Sequence, residues 1–138
     1  MDKKKDFASK LRTSGLRPTK QRIKLAEFLF NREKTFHFTV ENLDKAINKK
    51  NSEDKIALAT IYNTVHAFKK AGHLKEILIK EGKNYFDTNT SSHHHFYDEQ
   101  TKELVDINSD DVEIKKTPTP PIGKKIMDVE VTFKVSKE

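Results

Sequence analysis

From Leu58 to Gly72 the apolar residues Leu58, Ile61, Val65 and Phe68 recur at three- and four-residue spacing. That is the period of one helix face, and Gly72 is the residue type that stops a helix. Directly afterwards, Leu74 to Phe86 reads as two short strands around Glu81-Gly82-Lys83-Asn84, whose composition suits a hairpin tip. A well-marked helix running straight into a hairpin narrows the fold more than any other feature of the chain. Upstream, Phe7 and Leu11 predict a short helix ended by Ser14-Gly15. Thr19 caps a second, with Ile23, Ala26, Leu29 and Phe30 on one face and Pro18 blocking helix before it. Thr39 caps a third, carrying Val40, Leu43 and Ile47, and the polar loop Asn48 to Lys55 leads to the fourth. Three helices and a hairpin make a winged helix-turn-helix.

Near Tyr85 to Asp87 the basic, helical pattern gives way to a His- and Asp-rich strand pattern, which predicts a division into residues 1–86 and 87–138. Phe96-Tyr97 and Leu104 to Ile107 read as strands flanking a polar turn, and Ser109 starts a short helix. Pro118, Pro120 and Pro121 exclude regular structure from the next loop. Val129, Val131, Phe133 and Val135 then alternate as one face of a final strand. The expected class is α+β, with a small β-rich sheet domain behind the winged helix. Of the 138 residues 34% are hydrophobic and 35% charged, so each half alone has little surplus core to offset the entropy of folding. Dimerisation is the expected remedy.

Charge is unevenly placed. Residues 1–86 hold 20 Lys and Arg against 10 Asp and Glu, and residues 87–138 hold 7 against 11. A basic front half is the electrostatic footprint of a polyanion binder. No apolar run reaches the roughly 18 residues that span a bilayer. Met1 to Lys10 also lacks the apolar stretch of a signal peptide, so the expectation is a cytoplasmic protein without a membrane partner. The chain has no cysteine, which excludes disulfides, thiolate metal sites and thiol redox switching. Any metal must be held by His, Asp and Glu.

On the fourth helix the apolar face leaves Ala59, Thr60, Tyr62, Asn63 and His66 on the opposite or flanking surface. Small residues there let the backbone approach a major groove. Tyr62 offers a ring edge to a thymine methyl, and Asn63 matches adenine in bidentate fashion, chemistry that favours A·T-rich duplexes. Arg12, Arg17, Lys20 and Arg22 lie where they can hold phosphates or enter a narrow minor groove.

The remaining chemistry lies in histidines. On an extended strand His93 and His95 share a face while His94 points away, and Asp106 on the partner strand can face the same side. With Asp87 nearby and His37 just ahead of the third helix, the candidate set is His37, Asp87, His93, His95 and Asp106. Mixed imidazole and carboxylate ligation suits Fe(II), Mn(II) or Zn(II) rather than calcium. A ligand from each half would let occupancy set the geometry of the reading heads. The run His93, His94 and His95 also leaves open an axial imidazole for haem iron, and His94 with Glu113 a second metal site that lacks a clear last ligand. His66 and His73 read as ordinary helix and helix-end residues.

Four phrases carry a family resemblance: Leu16-Arg17-Pro18-Thr19-Lys20-Gln21-Arg22, Leu58-Ala59-Thr60-Ile61-Tyr62-Asn63-Thr64, Tyr85-Phe86-Asp87-Thr88-Asn89-Thr90 and His93-His94-His95-Phe96. The chain resembles the ferric uptake regulator (Fur) superfamily from about Leu11 to Val135, and within it most resembles the iron-response-regulator branch, Irr. The resemblance implies a winged-helix N-terminal domain, a C-terminal α/β dimerisation domain, and a homodimer on palindromic A·T-rich double-stranded DNA. It also implies regulatory ligands at His37, Asp87, His93, His95 and Asp106 and a thymine-contacting tyrosine at Tyr62. Two departures stand out. Members with a structural zinc hold it with two Cys-x-x-Cys pairs, but here the stretch after Tyr97 has Asp98 and Thr101, so no structural four-cysteine zinc is expected. The Cys-Pro haem motif of some Irr proteins is also missing, which leaves haem only the histidine run.

The expectation is therefore an iron- or haem-responsive transcriptional regulator, not an enzyme. A manganese-, zinc- or peroxide-sensing repressor of the same family is the first alternative, because its ligand set is the same. A metal-dependent hydrolase could use those ligands too, but the sequence offers neither a nucleophile nor a substrate pocket.

Overall fold

Among the described residues, three of the four α-helices begin at side chains that accept a hydrogen bond from their own first turn. In the computed structural model, which describes residues 6–49, 53–79 and 84–138, Asp6 caps α1 (Phe7–Thr13) by accepting from the Ser9 amide at 3.0 Å. Thr19 caps α2 (Lys20–Phe30) by accepting from Arg22, and Thr39 caps α3 (Val40–Ile47) by accepting from Asn42. Each cap satisfies one of the amides that a helix start leaves without an intrahelical partner. The fourth helix, α4 (Leu58–Lys70), starts at Ala57 with no side-chain cap. It is placed from outside instead. Asn48 donates to the Ile56 carbonyl at 2.6 Å and accepts from the Ile56 amide at 2.7 Å, which pins the α3–α4 connection two residues ahead of the helix. Gly72 takes φ +87° just past the end of α4, a left-handed turn that costs a side-chain-bearing residue strain.

The chain divides into two compact units, residues 1–90 and 91–138. Strands β1 (His37–Phe38), β2 (Lys75–Leu78) and β3 (Asn84–Asp87) form an antiparallel sheet in the order β1-β3-β2. Asp87 pairs with both His37 and Lys75, so it belongs to the first unit, whereas the sequence pattern suggested a division at 86/87. Between β2 and β3 the expected hairpin tip, residues 81–83, lies outside the described residues.

Leu25, Leu29, Ile61, Val65 and Phe68 are fully enclosed in the first unit's core, with Leu11, Leu43, Phe38 and Phe86 almost so. One member of the expected apolar face of α4 is misplaced. Leu58 is exposed and Thr64 is buried, so the enclosed face of α4 runs through Ile61, Thr64, Val65 and Phe68.

The second unit is a sheet in the order β5-β4-β6, from β4 (His94–Asp98), β5 (Leu104–Ile107) and β6 (Thr132–Val135). β4 and β5 are antiparallel, and β6 runs parallel to β4. The short helix expected from Ser109 is a single 3-10 turn, Ser109–Asp111. The turn joining β4 to β5 is closed by Asp98, whose carboxylate accepts from the Gln100 and Thr101 amides at 2.9 and 3.1 Å. Those bonds to the charged form hold the Asp98 carboxyl below its ordinary value. Among the described residues no helix is long and apolar enough to cross a membrane.

Candidate functional site

The β1–β3 ladder sets His37 directly across from Asp87. Their side chains meet with His37 Nε2 3.0 Å from Asp87 Oδ2, and Asp87 is fully buried. A buried carboxylate is costly unless polar partners surround it; here Asp87 Oδ1 also accepts from the Asn89 amide at 2.8 Å. Pairing of the strands is extended by one residue on the outer side. The Phe36 amide donates to Thr88 Oγ1 at 2.8 Å, and the Thr88 amide donates to the Phe36 carbonyl. Phe36 is gripped in turn by the Arg32 guanidinium, 3.8 Å from its ring centre. The first unit thus presents one imidazole and one carboxylate from backbone that is held on both sides.

The second unit presents a second donor set. His95 lies across from Asp106 in the β4–β5 register, and His93 sits two residues back on the same side. Their Nε2 atoms lie 3.2 and 3.3 Å from one oxygen of Asp106. The two rings are 4.4 Å apart, and both residues are buried. Nδ1 of His93 donates to the Ser91 carbonyl at 2.7 Å. That bond puts the proton on Nδ1 and leaves Nε2 as the ligand atom, the usual outer-sphere arrangement of a metal-binding histidine. His94 is turned the other way, its Nδ1 accepting from the Val131 amide at 3.0 Å. Glu113 is exposed on the chain that follows the 3-10 turn.

Both donor sets fit a divalent transition-metal ion. Bonds of about 2.1 Å at tetrahedral or octahedral angles put neighbouring ligand atoms about 3.0–3.4 Å apart. The pairs above fall at 3.0–3.3 Å. Nitrogen and carboxylate oxygen without sulfur suit Mn(II), Fe(II) or Zn(II). For haem the fit is worse, since each of the three consecutive histidines is already engaged within its own unit by Asp106, Ser91 or Val131.

On α4, Ala59, Tyr62 and Asn63 are exposed and Thr60 is half-buried. The Tyr62 hydroxyl donates to Glu41 Oε1 at 2.8 Å, and its ring lies nearly parallel to that of His66, 6.5 Å away. His66 in turn sets its ring edge-on to Phe86 at 6.0 Å. The hydrogen bond to Glu41 raises the Tyr62 phenol above its ordinary value. Arg12, Arg17 and Lys20 are exposed, and the half-buried Arg22 donates to the Arg17 carbonyl at 3.1 Å. Sequence reasoning did not single out Glu41 and read His66 as an ordinary helix residue. The i, i+4 spacing of Tyr62 and His66 signals their contact, but nothing in the sequence signals that α3 brings Glu41 alongside.

Comparison with known proteins shows the family and the fold. A model of the ferric uptake regulator family matches residues 13–134. The "Peroxide-responsive repressor PerR" of Staphylococcus epidermidis is 33% identical over 98 residues, 71% of this chain and 63% of that protein. The "Peroxide operon regulator" of Bacillus subtilis is 31% identical over 104 residues, 75% of this chain and 69% of that protein. The match therefore spans slightly less than two thirds of the length of the first of these relatives and slightly more of the second. A solved structure of the ferric uptake regulator from Pseudomonas aeruginosa with manganese superposes with a TM-score of 0.70 at 23% identity, covering 94% of this chain and 96% of the other.

Proposed function

The chain belongs to the ferric uptake regulator family, and on that premise we propose that it is a metal-responsive, DNA-binding transcriptional regulator of the peroxide- or manganese-sensing kind, rather than an enzyme. The observation that carries this reading is the pair of cysteine-free donor sets, His37 with Asp87 and His93 with His95 and Asp106. Residues 88–92 are all that separates Asp87 from His93 in the chain. We assign His37 and Asp87 of the first unit, and His93, His95 and Asp106 of the second, to regulatory metal binding by Mn(II), Fe(II) or Zn(II). When bound, a metal ion would supply a positive charge to the donors that hold it. The protein's part is to hold Asp87 on β3 and Asp106 on β5, with the His93 tautomer set by Ser91.

Tyr62, Asn63, Thr60 and Ala59 are assigned to base contacts in an A·T-rich palindromic duplex, with Arg12, Arg17, Lys20 and Arg22 on its phosphates. The acting form is a homodimer in the cytoplasm. Its contact surface is the outer face of the second sheet, where Phe96, Val105, Phe133 and Val135 are exposed side by side. An apolar patch on a sheet face is the signature of a protein contact.

Relatives named for peroxide response at 31–33% identity favour the peroxide- or manganese-sensing reading over an iron- or haem-responsive one of the Irr type. One experiment separates them. The affinity for an A·T-rich palindromic duplex is measured by fluorescence anisotropy with protein stripped of metal, loaded with Mn(II), Fe(II) or Zn(II), or given haem, before and after hydrogen peroxide. Metal loading is expected to change affinity by about 5- to 150-fold, the usual range of allosteric coupling, with peroxide reversing the change in the Fe(II) form. The same metal response should disappear in His95→Ala. Equal affinity in every form refutes the sensor, and a response to haem alone restores the haem reading.

A further inference from the structure

We propose that Glu41 is a specificity-determining positioning residue: its carboxylate holds Tyr62 by the hydroxyl so that the ring is presented to a base in one orientation, and its charge weakens binding to phosphate without sequence preference. The proposal rests on the nucleic-acid reading of α4 given above. Tyr62 is 38% exposed, and a tyrosine standing on a helix surface ordinarily samples several rotamers. Here the side chain is held at both ends. The hydroxyl donates to Glu41 at 2.8 Å, and the ring is flanked by His66, which is itself braced edge-on against the buried Phe86.

Glu41 is well suited to this task. It lies in the first turn of α3, where a carboxylate is favoured by the helix dipole. Its backbone is anchored by its neighbours, the Thr39 cap and the buried Val40 and Leu43. A tyrosine fixed before binding spends no rotamer entropy when it meets its base. The phenol proton is also committed to Glu41, so the hydroxyl cannot donate to a phosphate oxygen without first leaving the carboxylate. The ring edge is left as the reading surface, and apolar contact with a thymine methyl is a base-specific interaction. A negative charge beside the ring penalises a close phosphate wherever the base contact does not offset it. Both effects widen the gap between the correct duplex and any other.

The test compares the wild-type chain with Glu41→Ala, Glu41→Gln, Tyr62→Phe and the Glu41→Ala/Tyr62→Phe double variant. Affinity is measured for the A·T-rich palindrome and for a scrambled duplex of equal length and composition. A hydrogen bond to a charged group supports a loss of about tenfold in the ratio of the two affinities for Glu41→Ala, with scrambled-duplex binding strengthened. Glu41→Gln keeps an acceptor and loses the charge, so it should keep most of the palindrome affinity while scrambled binding still rises. Tyr62→Phe keeps the Glu41 charge and should lower the ratio less than Glu41→Ala, and the double variant should fall no further than Glu41→Ala.

A second measurement, without DNA, follows 13C-labelled tyrosine by NMR. In Glu41→Ala the Tyr62 phenol should titrate closer to its ordinary value, and its ring should lose order. Unchanged discrimination by Glu41→Ala, losses that add fully in the double variant, or a Tyr62 ring indifferent to Glu41 each overturn the proposal alone. A wild-type chain that does not distinguish the two duplexes overturns the nucleic-acid reading and this proposal with it.

Discussion

Leu25, Leu29, Ile61, Val65 and Phe68 of the first unit are wholly shut away from solvent, whereas four apolar residues of the second, Phe96, Val105, Phe133 and Val135, stand on the surface of its sheet. Among the described residues of the second unit, the buried apolar side chains are Tyr97 and Ile107, and the buried polar ones are His93 and His95. In the first unit, residues of all four helices pack with Phe38 and Phe86 of the sheet, so its core is closed internally. A lone three-stranded sheet has two faces and needs something on them. One face of the second unit carries the His93 and His95 imidazoles and the other carries the exposed Phe96 and Phe133. On the proposed reading, a metal ion on one face and a second subunit on the other supply what the sheet alone lacks.

The contrast can be broken at its strong side first. Phe68→Ala removes a fully enclosed ring that touches Phe30 and His73, and urea unfolding should show a loss of about 3–5 kcal/mol. A loss under about 1 kcal/mol would mean that the first unit's core is not what holds it. The next effect is at the exposed face of the second sheet. Phe133→Asp should weaken self-association by about 2–3 kcal/mol, the range of an interface hot spot, read by sedimentation equilibrium. An unchanged dimer would show that subunits meet elsewhere.

The smallest effect is a pH dependence in the first unit. His73 contacts Ser14 Oγ at 2.8 Å, and burial, with Lys10 contributing, lowers its pKa below the ordinary 6.5. The folded chain thus takes up this proton less readily than the unfolded one. The stability is full above pH 6.5 and declines as pH falls through that value toward the folded-state one. His73→Gln should flatten that part of the profile of unfolding free energy against pH. Parallel profiles for variant and wild type would remove His73 as its cause.

Much of the helical unit could be read in advance because its signals are local. Thr19, Thr39 and Gly72 mark helix ends by their own chemistry, and the structure uses each of them. What escaped depends on partners distant in sequence. The two-residue strand β1 is too short for any periodicity and exists because β3 pairs with it. Alternation at Val129, Val131, Phe133 and Val135 implied one face, but pairing with β4 begins at Thr132, and Phe133 lies on the exposed side. For the donor sets, the period of a strand already puts His93 with His95 and apart from His94. The contact of Glu41 with Tyr62 depends on how α3 packs against α4, and no spacing within either helix encodes it.

The turn at Asp98 has a practical consequence. This end of the hairpin is fastened by a carboxylate on two backbone amides, which a chelator cannot extract. EDTA therefore leaves this turn closed, and any effect of chelation arises elsewhere in the chain. Strong acid, by neutralising Asp98, is the agent that loosens this turn.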